Sequence, residues 1–296
     1  MITTLEEKTQ ASVRTICRTL NVPRSSFYHA ARPTRRQLED NQLSNIIKEI
    51  FWAHKCRYGS RRISRELVDH GFECSPDRTL RLMRQGALRA ITSRRYLPQT
   101  SDGKASCPSP NLLVDKPLPT QPNAVWSGDI TYIPCADGKW LYLAVVIDLF
   151  SRRIIGWHIA THMRADLVTA ALDQALQNRG QHHHNLIFHS DRGSQYSAKA
   201  FRTKLKAAGI TQSMSARANP YHNAWTESFI GTLKTELIQD ADFHNLQQAR
   251  LALFEYFEGY YNTKRKHSSL KYLTPNQFEK AQQAKDHHDS LVSLLN

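Results

Sequence analysis

Three acidic residues in separate segments of the chain could share one metal site. Asp129 lies in AVWSGDITYIP, Asp191 ends NLIFHSD, and Glu227 lies in the helical pattern of NPYHNAWTESFIGTLKTE. Carboxylates that converge from separate elements repel one another unless cations lie between them. Such hard oxygen ligands suit Mg²⁺ or Mn²⁺, and a site with two ions suits attack on a phosphodiester. One ion then activates the attacking hydroxyl while the other stabilises the leaving oxygen.

The elements that would position these carboxylates can be predicted from hydrophobic periodicity. The segment around Asp129 alternates with period two, and Asp129 lies on the face opposite Trp126, Gly128 and Ile130. Two further strands, a helix, the strand that ends at Asp191, another helix and a fifth strand precede the helix with Glu227. This βββαβαβα order predicts an α/β fold, a mixed sheet flanked by helices as in the ribonuclease H-like fold. His189 alternates with Asp191 and is predicted to point toward the same site.

Charge points to a polyanionic partner. The chain has 40 basic and 26 acidic residues, a net charge of +14. Residues 1–105 hold 20 basic and 10 acidic residues, a net of +10, so the excess is concentrated in the first third. A basic face of this kind favours nucleic acid, with a merely soluble basic surface as the alternative.

The first third of the chain is helical in pattern and contains two helix-turn-helix candidates. One lies in SVRTICRTLNVPRSSFYHA, where Ser25, Ser26 and Tyr28 lead the second helix. The other begins at YGSRRISRELVDHGF, with Gly71 as a C-cap and Ser75-Pro76 starting the next helix. That helix is predicted to turn Leu80 and Met83 inward. The predicted DNA contacts of this region are Arg61, Arg65, Arg78, Arg81 and Arg84. A structural helical bundle with solvated arginines is the alternative.

Composition indicates the cellular compartment of the protein and bears on whether it binds zinc. The five cysteines, at positions 17, 56, 74, 107 and 135, form no CxxC pair, which predicts reduced thiols and argues against zinc. The tract at 182–184 is interpreted as a solvated loop. No apolar run has the length of a membrane span, and the first residues lack a secretory pattern. These features predict a cytoplasmic protein.

Several motifs together resemble a known family. WSGDITYI, HSDRGSQY and NPYHNAWTESFIGTLKTE are similar to the DDE catalytic core shared by retroviral integrases and insertion-sequence transposases. YGSRRISRELVDHGF with SPDRTLRLMRQ, and YNTKRKHSSLKYLTPNQF near the C-terminus, resemble segments of the downstream-frame (OrfB) transposases of the insertion-sequence-three family. The resemblance runs from about Val13 to Phe278.

The resemblance implies a function and a set of site residues. It implies a transposase that cleaves DNA with Mg²⁺ or Mn²⁺, held as two ions by Asp129, Asp191 and Glu227, and then transfers the strand. Lys234 lies seven positions after Glu227 and Asn223 four before it, so both would share its helix face and contact DNA. The alternatives are a DNA-binding protein with dead chemistry and a ribonuclease H-like nuclease that only hydrolyses.

The resemblance also implies partners and domains. The partners are double-stranded DNA, as terminal inverted repeats and target, a second copy of the chain, and the upstream-frame protein as partner or fusion. A bacterial nucleoid is the implied location. The predicted domains are a helix-turn-helix segment (1–36), a second helical DNA-binding domain (37–97), a proline-rich linker (98–122), the catalytic core (123–280) and a tail (281–296). The linker holds six of the twelve prolines.

Two departures from the family pattern lie just before the Glu227 helix. Ala218 replaces a glycine, which casts doubt on a positive φ there, and His222 replaces an aspartate. Neither touches the three acidic residues.

Two further motifs have competing interpretations. Asp148 in VVIDLFSRR could be a fourth ligand, but a salt bridge to Arg152 is favoured. The run Lys264, Arg265, Lys266 and His267 is predicted to contact DNA rather than to be a solvated run, because tyrosines flank it.

Overall fold

A computed structural model of the chain describes residues 11–25, 33–92, 109–114, 116–180, 185–215 and 224–295, with the backbone alone for residue 224 and residues 286–295. The chain divides into two compact units, Met1–Arg89 and Ala90–Asn296. Several predictions lie outside the described residues: the DNA contact of Asn223, the departures at Ala218 and His222, the helix-turn-helix residues Ser26 and Tyr28, the histidine tract at 182–184 and most of the linker.

The first unit is helical over its described residues. Three helices begin at residues that cap the backbone: Ser12 accepts from Thr15 N–H, Ser75 accepts from Arg78 N–H before Pro76, and Thr34 forms a capping box. The helices are α1 (Val13–Thr19), α2 (Arg35–Ala53), α3 (Ser60–Asp69) and α4 (Pro76–Gln85).

The turn between α3 and α4 agrees with the sequence prediction, but one core residue does not. Gly71 follows the end of α3 with a φ of 82°, the left-handed conformation expected at a C-cap. Leu80, which the sequence predicted to face inward, is 36% exposed. Thr79, Leu82 and Met83 fill the core instead, because positions i, i+3 and i+4 form one helical face.

The second unit is built on a mixed five-stranded sheet, as the sequence predicted. Its strands are β1 (Val125–Pro134), β2 (Trp140–Asp148), β3 (Ile154–Ala160), β4 (Ile187–Ser190) and β5 (Thr211–Met214). The strand order is β3-β2-β1-β4-β5. The first three strands are antiparallel neighbours, whereas β4 is parallel to both β1 and β5.

Helices cover the sheet. The α-helices are α5 (Ala165–Arg179), α6 (Ser194–Ser197), α7 (Lys199–Ala207), α8 (Ala224–Leu233), α9 (Leu246–Tyr256) and α10 (Pro275–Leu295). Helices α8 and α9 each run directly into a π-helical turn, Lys234–Ile238 and Phe257–Tyr261. A short 3-10 helix spans Ser268–Leu270. In the described parts of the chain, no helix is long and apolar enough to cross a bilayer.

One face of the sheet forms the main hydrophobic core with α5 and α7. Trp126 and Ile130 of β1 pack there with Leu172 of α5 and Phe201 of α7. Gly156 permits the close approach of α5, since a Cβ on this residue would lie 2.2 Å from the carbonyl oxygen of Ala171. The opposite face of β1 is left for polar residues and for α8.

The start of the second unit lies against the sheet edge. Leu112 N–H donates to the Ser213 hydroxyl at 2.9 Å, and Met214 N–H donates to the Pro110 carbonyl at 3.3 Å. These bonds occupy polar groups of the edge strand β5. Part of the segment that proline content marked as a linker therefore packs on the core.

Candidate active site

Asp129 projects from the middle of β1 on the face away from the hydrophobic core. Ser127 and Thr131 share this face, because alternate residues of a strand point the same way. The Asp129 carboxylate is half-buried, and its Oδ1 accepts a hydrogen bond from Ile130 N–H at 2.8 Å. This bond fixes one carboxylate oxygen and leaves the other for a further partner.

Asp191 is brought beside β1 by the parallel pairing of β1 and β4. Gly128 pairs with Ser190, the last residue of β4, and Asp191 follows it directly. The Asp191 Oδ1 accepts from Gly193 N–H at 3.0 Å. A local turn thus holds this carboxylate at the end of the strand.

Glu227 lies in the first turn of α8, which packs over β1. The helix is anchored by Phe229, Ile230 and Leu233, which are buried, while Glu227 itself is exposed. The apolar side of α8 therefore sets its position on the sheet, and the glutamate stays at the rim, where a ligand can reach it.

The three carboxylates form one electrostatic group. Burial, with the negative charges of Asp191 and Glu227, raises the pKa of Asp129 to about 8. Burial also raises the pKa of Glu227. Within the described residues, no three acidic, histidine or cysteine side chains are close enough to hold an ion as they stand. The charges of Asp191 and Glu227 thus both oppose ionisation of Asp129, a situation that a bound cation relieves.

Lys234 also acts on this group, although its backbone differs from the predicted one. The seven-residue spacing assumed a regular α-helix, but α8 ends at Leu233 and Lys234 begins a π-helical turn. The ammonium group still lowers the pKa of Asp129. Burial lowers the pKa of the half-buried lysine, and the Asp129 charge opposes that shift. Residues from Glu227 to Leu233 remain α-helical, so the seven-residue spacing brings Lys234 to this group as predicted, and the π-helical turn begins at the lysine itself.

His189 lies beneath the site and not on its surface. It is 1% exposed, and its Nδ1 forms a 2.9 Å hydrogen bond with the Ser213 hydroxyl. It pairs in register with Ser127 of β1 and Ser213 of β5, so it shares the face of Asp129. The face was predicted correctly, but burial prevents this histidine from contacting DNA in this structure.

Asp148 is a structural carboxylate, but its partners differ from the predicted one. It is fully buried and accepts from the backbone N–H groups of Asn123 and Phe150 at 2.8 and 2.9 Å. Its charged neighbour is Arg179 at 4.0 Å. The favoured partner, Arg152, stacks instead on the Trp225 ring with its guanidinium carbon 3.8 Å from the ring centroid.

The C-terminal basic run is mostly interior, contrary to the prediction of DNA contacts. Lys264 is exposed, whereas Arg265, Lys266 and His267 are between 5% and 7% exposed. Arg265 makes a bidentate pair with Glu236, with nitrogen–oxygen distances of 2.7 to 3.0 Å, and Tyr256 donates to the same carboxylate at 2.9 Å. Sequence reasoning missed Glu236, because no spacing rule connects residues 29 positions apart.

The predicted DNA-contacting arginines of the first unit fall into two groups. Arg61, Arg65 and Arg84 are exposed. Arg78 and Arg81 are partly buried and donate to the Asp40 carboxylate of α2 at 2.8 and 2.7 Å. The two arginines therefore tie α4 to α2, a role that their spacing along α4 did not indicate.

The Asp40 contacts lead to a prediction about DNA binding by this unit. Asp40→Asn should raise affinity for a duplex of random sequence and steepen its salt dependence by up to about 0.9 per arginine released onto a phosphate. The unit should also lose about 1 kcal/mol of stability with the ion pairs. Binding titrations across salt concentrations measure the first effect and thermal unfolding the second.

Asp77→Asn is the matched control for Asp40→Asn. Asp77 is exposed in the first turn of α4, so its substitution changes the net charge equally without releasing the two arginines. Equal salt slopes for both variants would contradict the proposed competition between Asp40 and DNA.

Comparisons with known proteins agree with this division of the chain. Models described as integrase core domain match residues 119–220 and 208–275, and one described as HTH-like domain matches residues 38–96. The chain is 44% identical over 251 residues to the transposase of insertion sequence element IS904 from Lactococcus lactis, covering 84% of this chain and 98% of that protein. It is 38% identical over 279 residues to transposase InsF of IS3A from Escherichia coli, covering 92% and 96% of the two.

Solved structures that align with the chain include retroviral integrases. A simian T-cell lymphotropic virus intasome aligns with a TM-score of 0.45 and 18% identity over 79% of this chain and 73% of that one. The catalytic core domain of BIV integrase aligns with a TM-score of 0.41 and 20% identity over 56% of this chain and 99% of that one.

Proposed function

The chain belongs to the insertion-sequence transposases of the IS3 family, and we propose that Asp129, Asp191 and Glu227 are its catalytic carboxylates. The protein is a DDE transposase, which cleaves DNA strands and transfers them. The observation that carries the residue assignment is the convergence of carboxylates from β1, the end of β4 and α8, where the charges of Asp191 and Glu227 both oppose ionisation of Asp129. Like charges placed together destabilise the fold, and such an arrangement is typical of a functional site, here one that binds a cation.

The donor set fits a divalent cation. Mg²⁺ and Mn²⁺ prefer oxygen ligands, and the site supplies carboxylates with no thiolate from the described cysteines. We assign two ions to Asp129, Asp191 and Glu227. When bound, they would activate the attacking hydroxyl and stabilise the leaving oxygen.

The remaining residues fix the carboxylates and the DNA. Ile130 N–H and Gly193 N–H each hold one oxygen of Asp129 and Asp191, so these ligands are oriented before any ion arrives. The half-buried Lys234 carries a positive charge next to Asp129, which suits contact with a phosphate near the scissile bond. A protonated lysine cannot itself bind a metal ion.

The substrate is double-stranded DNA, namely terminal inverted repeats and target, at the bacterial nucleoid. The first unit binds it through exposed arginines, in keeping with the net charge of +10 over residues 1–105. Strand transfer joins separate DNA segments, so we include a second copy of the chain and the upstream-frame protein among the partners.

Stability of the metal-free protein tests the proposed site. The pKa of Asp129 is about 8 in the folded chain against an ordinary value of 3.8. Asp129 therefore costs the folded state nothing below about pH 4, where the carboxyl is protonated in both states, and the cost grows up to about pH 8, because the unfolded carboxyl ionises while the folded one keeps its proton. Asp129→Asn should add roughly 2 kcal/mol at pH 8 and little at pH 4, less than the full shift allows because the side chain is partly exposed. Thermal unfolding in a chelator measures this difference.

The same variants distinguish the metal site from simple strain. Mn²⁺ should stabilise the wild-type chain at pH 8 but not Asp129→Asn. Asp137→Asn is the control, since Asp137 is exposed and pairs with Lys139 at 2.8 Å. It should gain no stability and keep the Mn²⁺ effect. If Asp129→Asn kept the Mn²⁺ effect and gained no stability, the assignment would be wrong.

A further inference from the structure

A buried hydroxyl pair connects the strand of Asp129 to the helix of Glu227. The Thr226 hydroxyl donates to the Ser127 hydroxyl at 2.7 Å, and the two residues are 0% and 1% exposed. Ser127 lies two residues before Asp129 on the same face of β1, and Thr226 directly precedes Glu227. The bond therefore joins the two elements within two residues of each carboxylate.

This bond supplies a constraint that the apolar contacts of α8 do not. Phe229, Ile230 and Leu233 hold the helix on the sheet, but apolar packing has little directional preference and allows small slides and rotations. A hydrogen bond has a narrow range of length and angle. Away from water, leaving the Thr226 hydroxyl unpaired costs about 1–3 kcal/mol. The pair therefore favours one register of α8 on β1.

A second contact holds the same end of α8. Arg152, in the turn between β2 and β3, stacks on Trp225 with 3.8 Å between the guanidinium carbon and the ring centroid. Trp225 and Thr226 precede Glu227 directly, so the first turn of α8 is fixed from two directions. The first turn of α8, which carries Glu227, is thus held by these two contacts in addition to the apolar packing of the helix.

We propose that Thr226 and Ser127 are positioning residues, whose hydrogen bond sets the separation of Glu227 from Asp129 and thereby the affinity of the site for divalent cations. This inference rests on the proposed carboxylate site. Small octahedral cations tolerate little error in ligand placement, and partners that orient metal ligands change affinity about 10–100-fold when removed. Neither hydroxyl needs to touch an ion for this effect.

Mn²⁺ binding to the full-length chain tests the inference without an activity assay. Thr226→Val keeps the shape of the side chain and removes the hydroxyl, and Ser127→Ala removes its partner. Each should weaken Mn²⁺ binding by about tenfold, and the double variant should lose little more than either single one, because one bond is lost in all three. Thr226→Ser retains the hydroxyl and should bind within about twofold of the wild type. Should Thr226→Val fail to fold, Ser127→Ala and Thr226→Ser still give the comparison.

Two reference variants distinguish a positioning role from a purely structural one. Thr232→Val removes a hydroxyl that bonds only within α8, to the Ser228 carbonyl at 3.0 Å, and should leave Mn²⁺ affinity unchanged. A lower melting temperature of Thr226→Val with wild-type Mn²⁺ affinity would mean that the bond is merely structural and would overturn the inference. Asp129→Asn should lose Mn²⁺ binding in every case. If it did not, the carboxylate site itself would be wrong.

Discussion

Alanine at Asp129, Asp191 or Glu227 is expected to reduce strand cleavage and strand transfer by more than about 10³-fold. Each substitution removes a proposed metal ligand, and the bound ions would stabilise charge in the transition state. DNA affinity should change little, because the exposed arginines of the first unit lie elsewhere in the sequence, and it should rise slightly where a negative charge leaves the DNA-binding surface. The loss should therefore appear in the rate and not in binding.

The measurement is paired, with cleavage and joining assayed on duplexes that carry the element's own ends and affinity assayed on the same duplexes. Asp137→Ala is the control, because it removes an exposed carboxylate in the hairpin turn between β1 and β2, where its ion-pair partner is Lys139. Glu227→Gln is the most demanding variant, since it keeps the side-chain shape and removes only the charge. Strand transfer at the wild-type rate in that variant would show that Glu227 is only a surface charge.

The strands and their order along the chain could be predicted from the sequence, because the hydrophobic patterns that indicate a strand lie within a few residues. The alternation around Asp129 distinguishes its two faces within a few residues, and β1 indeed turns Trp126 and Ile130 into the core and Asp129 away from it. Asp191 and Glu227 follow from the ends of predicted elements in the same way. Parallel pairing of β1 with β4 then places the first two acids side by side.

The contacts that hold the site could not be predicted, because each one joins positions that are far apart in the chain. Ser127 and Thr226 are 99 residues apart, and Asp40 lies 38 residues from Arg78. Helical spacing did predict the place of Lys234, because the chain stays α-helical from Glu227 to Leu233 and the helix changes type only at the lysine itself. Basic residues look alike in a sequence whether they face DNA or a buried carboxylate, which is why Arg265 was assigned to a DNA surface.

Arg265 gives the second large expected effect, on stability. Arg265→Ala should lower the free energy of unfolding by about 3–5 kcal/mol, because it removes the guanidinium that makes a bidentate pair with the buried Glu236 carboxylate. Glu236 is 9% exposed, and the 2.9 Å hydrogen bond from Tyr256 that it retains brings no positive charge. Denaturant unfolding of the full-length chain measures the change, with Lys264→Ala as the control at an exposed neighbouring position.

Replacing both members of the pair should recover most of that loss. In Arg265→Met with Glu236→Gln, no uncompensated charge remains, and a buried ion pair contributes little net stability beyond what apolar packing of similar volume provides. The double variant should therefore be more stable than Arg265→Ala by at least about 2 kcal/mol. A double variant as unstable as Arg265→Ala would mean that packing of the arginine, and not its charge, holds this region.

The DNA affinity of these variants decides between the two roles proposed for the basic run. If Arg265 holds the π-helical turn through Glu236, the double variant should fold and bind DNA nearly as the wild type does, whereas Lys264→Ala should lose the affinity of one phosphate contact, with a salt slope lower by about 0.9. Glu236 lies two residues after Lys234 in that turn, so loosening the pair should also slow strand transfer through misplacement of the lysine.

Wild-type stability with reduced DNA affinity in Arg265→Ala would instead restore the DNA contact that the sequence predicted. The bidentate geometry and 5% exposure of Arg265 favour the structural role, since a DNA phosphate could reach the guanidinium only by displacing the buried Glu236 carboxylate from it.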